Sequence, residues 1–122
     1  MSDTLPDALR HADTAQESIR SMTRVMPNVL TAPIASDVLG ELMAMSHLLP
    51  EAFIKIGLGL TRALSEFETY ENDGSDPEIS VVTARAFLEH AADLARQMGE
   101  ALDGAQTAIS EQGHKSPEWS GS

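Results

Sequence analysis

The segment from Val81 to Ile109 reads VVTARAFLEHAADLARQMGEALDGAQTAI, and its spacing decides the fold. Val81, Ala84, Leu88, Ala91, Ala95, Met98, Leu102, Ala105 and Ile109 recur at alternating steps of three and four. That rhythm keeps every one of them on a single stripe of an α-helix. A second row, Phe87, Leu94, Ala101 and Ala108, widens the stripe. A helix with so broad an apolar face is stable only when packed against other helices.

The same rhythm recurs upstream. Leu5, Ala8, Ala12, Ala15, Ile19, Met22 and Met26 predict a first helix over about 5–26. A second helix is expected over about 34–48. Pro50 lacks an amide hydrogen and disfavours helical geometry at Leu49, so it either separates two helices or kinks a single one. A third helical stretch runs from Pro50 to about Glu71, with Phe53, Ile56, Leu60, Ala63, Phe67 and Tyr70 on one face. Asn72-Asp73-Gly74-Ser75 reads as a turn. Ser75 or Asp76 caps the last helix, with Pro77 just inside it and Gly113 as its stop near Gln112.

These lengths predict an all-α protein, an antiparallel bundle of three to four helices built on a long helical hairpin. Residues 1–113 are expected to form one domain and 114–122 a flexible polar tail. The first helix is too short to cover a hairpin about 55 Å long. The end near the turn is therefore expected to expose apolar residues, among them Leu60, Leu64 and Phe67. An apolar patch of that kind calls for a partner, most simply a second copy in a homodimer.

Composition narrows the function. The 122-residue chain carries 19 acidic and 8 basic residues, for a net charge of −11. Its basic residues are scattered singly, which disfavours direct nucleic-acid and anionic-membrane binding. The acids from Glu66 to Glu78, including Glu68, Glu71 and Asp73, form an electrostatic handle for a basic protein partner. An acidic regulator that occupies the nucleic-acid surface of another protein is thus the alternative to a self-associating module. A small-molecule-binding helical sensor is a third reading. No run of apolar residues is long enough to span a bilayer. The acidic N-terminus is unlike a signal peptide. With no cysteine, the chain is expected in the cytoplasm.

Chemistry-bearing patterns are sparse. A di-iron bundle needs Glu-x-x-His on two helices, and that spacing occurs once, from Glu111 to His114; no EF-hand spacing precedes Gly74, and no Gly-x-Ser-x-Gly turn is present. No enzyme activity, cofactor or metal is expected. Gly57-Leu58-Gly59 marks a close helix approach or a kink, because each glycine costs about 1 kcal/mol in a helix. Trp119, the only tryptophan, is a candidate aromatic anchor for docking. The Trp119-Ser120-Gly121 tripeptide lies beside the C-terminus, whereas WXG-type helical hairpins carry theirs in the interhelical turn.

Ala84-Arg85-Ala86-Phe87-Leu88-Glu89-His90-Ala91-Ala92-Asp93, with Ala101 to Ile109, resembles small uncharacterised all-helical actinobacterial proteins that often accompany mobile elements. The resemblance covers about a quarter of the chain. It implies a helical fold and brings no functional residues with it.

Overall fold

The computed structural model describes residues 4–67 and 70–113. They form three α-helices and no strand: α1 (Thr4–Val25), α2 (Ala32–Glu66) and α3 (Pro77–Ala108). The chain divides into two compact units, Met1–Leu30 and Thr31–Ser122.

The first unit is α1, 22 residues or about 33 Å long. Its polar side is laced by local pairs. Arg10 reaches Asp7 at 2.6 Å, and Arg20 reaches Glu17 at 2.6 Å. Such exposed pairs one turn apart add only a few tenths of a kcal/mol each, ~0.3–0.5. Ile19 stands half exposed on its apolar stripe.

The second unit is an antiparallel hairpin of α2 packed along α3. α2 is one helix of 35 residues that runs through Pro50. Of the two expectations at Pro50, separation is therefore corrected to continuity. Pro50 is buried, so packing of its ring offsets the amide it lacks.

α2 ends at Glu66, five residues before the expected Glu71. No basic residue lies in its last turn. Extending it would add Glu68 and Glu71 to a helix end that already repels negative charge. Phe67 closes it in an extended conformation, with its N–H donating to the Ala63 carbonyl at 3.0 Å.

The turn forms where the sequence predicts it. Gly74 adopts φ +82°, where a side chain would be strained. Asp76 caps α3, its carboxylate accepting from the Glu78 N–H at 2.9 Å, with Pro77 in the first turn. α3 ends at Ala108, four residues before the expected Gln112, and 109–111 form a turn.

The seam between α2 and α3 is made of small residues. Ala32, Ser46, Pro50 and Gly57 are buried on α2, and Ala92, Ala95 and Gly99 on α3. Ser46 is fully buried, and its hydroxyl donates to the Met43 carbonyl at 2.6 Å. A Cβ on Gly99 would stand 2.6 Å from the Ser46 Oγ, closer than real atoms approach. The helix backbones are thus as near as a glycine permits. Gly57 repeats the device, its missing Cβ leaving room for Arg85 Cγ at 3.1 Å. Gly59 faces open space, so only one of this glycine pair marks a close approach.

Candidate functional site

Three contacts set the hairpin's register. Gly99 lies against Ser46, Gly57 against Arg85 and Leu88, and Gly40 against Gln106. Each step up α2 therefore matches one step down α3. The same contacts define one flank of the hairpin. On it, the Gln106 amide donates to the Ser36 carbonyl at 2.9 Å, and the Arg85 guanidinium to Thr61 Oγ1 at 3.2 Å. His47, Ile54, Leu58 and Arg96 line an open groove of about 590 Å³ there. His47 is exposed on this flank.

The opposite flank is apolar. At 100° per residue, Val38, Met45, Leu49, Ile56 and Leu60 fall on one side of α2. Phe87, Leu94, Met98, Ala101 and Ala105 fall on the matching side of α3. Val38 is half-buried, and the other large side chains among them lie between 36% exposed (Leu49) and 70% exposed (Phe87). No Asp, Glu, Lys or Arg falls within this strip on either helix. On a chain of charge −11, that is a segregated surface.

The expected heptad row coincides with the seam in part: Ala95 is buried, and Ala91, Leu102 and Ile109 are half-buried. Val81, Ala84 and Leu88 begin on it, but Met98 and Ala105 have rotated outward and are exposed. The fully buried positions of α3 are Ala92, Ala95 and Gly99, of which Ala95 belongs to that row. The stripe read on the third helical stretch also divides. Phe53 is half-buried, whereas Ile56 and Leu60 point outward. The small residues win the seam because they let the backbones approach. The larger ones are displaced to the flank.

The expected contact residues are distributed accordingly. Leu60 is on the apolar flank, 39% exposed. Leu64 is half-buried, in helical register with Ser46, Phe53 and Gly57 on α2. Phe67 is an exposed C-cap residue. Glu68, Trp119 and the whole 114–122 tail lie outside the described residues.

In the turn, Glu71 accepts the Gly74 N–H at its carbonyl, 3.0 Å. Asp73 accepts the Ser75 N–H at 2.9 Å. Hydrogen bonds from the Ser75 side chain and then its backbone hold the Asp73 carboxyl below its ordinary value. Asp73 and Asp76 thus shape the turn and cap a helix, beyond carrying charge. Among the described residues no group of three or more His, Asp or Glu is placed to hold a metal ion. No helix among them is long and apolar enough to cross a membrane.

Met45, Leu49, Leu94 and Met98 were not singled out as contact residues from the sequence. Of the four, Leu94 belongs to the second row on α3 and Met98 to the main one, whereas Met45 and Leu49 lie on α2. Their outward orientation depends on which residues occupy the seam.

Fold and surface together define an all-α protein whose helical hairpin presents one charge-free apolar flank. Comparison with protein-family models, curated proteins and solved structures returns no match for this chain.

Proposed function

We propose that this chain is a non-catalytic helical interaction module that self-associates through the apolar flank of its hairpin. The observation that carries the reading is the uncharged apolar strip on a strongly acidic chain. Fully burying a Leu, Ile, Met or Phe side chain is worth about 1.5–3 kcal/mol. Seven such side chains stand at least partly in water here: Met45, Leu49, Ile56, Leu60, Phe87, Leu94 and Met98. With a net charge of −11, two copies repel one another overall. On this strip they meet without opposing charges.

The area is sufficient. From Val38 to Leu60 the strip is roughly 33 Å long, and two helices make it about 20 Å wide. That is about 700 Å² per copy, close to the ~800 Å² per partner of a standard interface. A homodimer is the simplest closed assembly. The absence of cysteine supports a cytoplasmic setting.

Size-exclusion chromatography with light scattering tests this. The wild-type protein is expected at twice its 13.1 kDa chain mass, and Phe87→Asp at the chain mass with an unchanged helical spectrum. Phe87 is 70% exposed, so its replacement leaves the seam intact. A wild-type monomer at several hundred micromolar refutes the reading. The acidic-regulator alternative predicts instead that a basic protein binds at low salt and is released at high salt.

A further inference from the structure

We propose that Met45 and Met98 form an oxidation site in the middle of the apolar flank, where a hydroperoxide converts both thioethers to sulfoxides and so holds the chain as a monomer. This rests on the self-association proposed above and names a chemistry that governs it.

The two sulfur side chains are brought together by the seam. Gly99 lies against Ser46, and Met98 and Met45 are the residues immediately before these two. One step back along a helix turns a side chain by 100°. Because α2 and α3 run antiparallel, both turns lead to the same flank. The two residues then differ in height by two helical rises, about 3 Å. Each stands within about one turn of the strip's midpoint, the part of an interface most completely desolvated. They are 42% and 43% exposed, so an oxidant reaches both in the free chain.

Met22, Met26 and Met43 do not share this position. Met43 is half-buried and stands about 160° around α2 from Met45. Met22 and Met26 belong to the first unit.

The thioether sulfur attacks the terminal peroxide oxygen. An S–O bond forms as the O–O bond breaks, and the sulfur gives up two electrons. The proton of the attacked oxygen passes to the leaving oxygen, which departs as water or an alcohol. A flexible apolar side chain has become a polar one. Every other side chain of the strip is a hydrocarbon, so no side-chain donor there meets the new oxygen. In the free chain water satisfies it. In a dimer each copy would bury two such oxygens against hydrocarbon, and an unpaired buried acceptor opposes burial. The unmodified thioether carries no such penalty and fills irregular gaps.

Peroxide treatment of dilute protein, then peptide mass spectrometry and light scattering after reconcentration, tests this. Untreated protein is expected at twice the chain mass. Protein oxidised at Met45 and Met98 is expected to keep its helical spectrum while its dimer dissociation constant rises by about a hundredfold or more. Met45→Leu/Met98→Leu nearly conserves volume and is expected to remain a dimer before and after the same treatment. That variant retains Met22, Met26 and Met43, so it isolates the pair. Untreated wild type at the chain mass removes self-association and this site together. A wild-type dimer that persists with both sulfoxides in place overturns the site and leaves self-association standing. So does a treated double-leucine dimer that dissociates as the wild type does, or dilute protein oxidised at Met26 but not at Met45 and Met98.

Discussion

Replacing Gly99 by alanine is expected to destabilise the hairpin, although alanine is the better helix former. In an exposed helix the change gains about 1 kcal/mol. At Gly99 the new methyl would sit 2.6 Å from Ser46 Oγ and 3.2 Å from His47 Nε2. His47 is exposed and can swing away. Ser46 cannot do so cheaply, because it is fully buried and its hydroxyl is bonded to the Met43 carbonyl. Either the helices separate, at about 1–3 kcal/mol for overpacking, or the hydroxyl turns and loses a bond worth about 1 kcal/mol. When both adjustments contribute, the net loss is roughly 1–3 kcal/mol after the helix gain. Gly59→Ala is the control. Nothing lies within 4 Å of its added Cβ, so it is expected to stabilise by about 1 kcal/mol. Urea unfolding followed by circular dichroism measures both, at one protein concentration because association adds apparent stability. In a Ser46→Ala background the cost of Gly99→Ala is expected to fall by about half or more, since the clashing oxygen is gone. Gly99→Ala as stabilising as Gly59→Ala would refute the close approach of the two helices.

Three further outcomes are expected. Asp76→Ala removes the carboxylate that accepts from Glu78 N–H and should cost about 1 kcal/mol in urea unfolding, whereas Asp76→Asn should cost much less. Asp73 should titrate below its ordinary value of 3.8, and Ser75→Ala should move its NMR midpoint upward. Because the folded value is depressed, the stability Asp73 contributes is present above the unfolded value and is lost as pH falls through the folded one. An unshifted midpoint in the wild type would remove that contribution. DNA should remain unshifted in a gel assay at moderate salt, since a chain of charge −11 offers no cationic cluster to release counterions; a retarded complex with pure protein would overturn the charge argument.

Much of the architecture was legible in the sequence. The repeat of threes and fours specified three helical stretches. Asn72 to Ser75 specified the turn, and Asp76-Pro77 the start of α3. A short connection between two long helices made the hairpin antiparallel. These signals act within a few residues, so local sequence suffices. The tertiary structure decided the rest. It carried α2 through Pro50 and left Leu64 half-buried. It also turned Met45, Leu49, Leu94 and Met98 outward. A wide apolar stripe does not state which of its edges faces the neighbouring helix. That depends on how closely two backbones approach, which Ser46 and Gly99 set together from positions 53 residues apart. The candidate surface is what remains once the small residues have taken the seam. It is a property of the pair of helices, and neither helix encodes it alone.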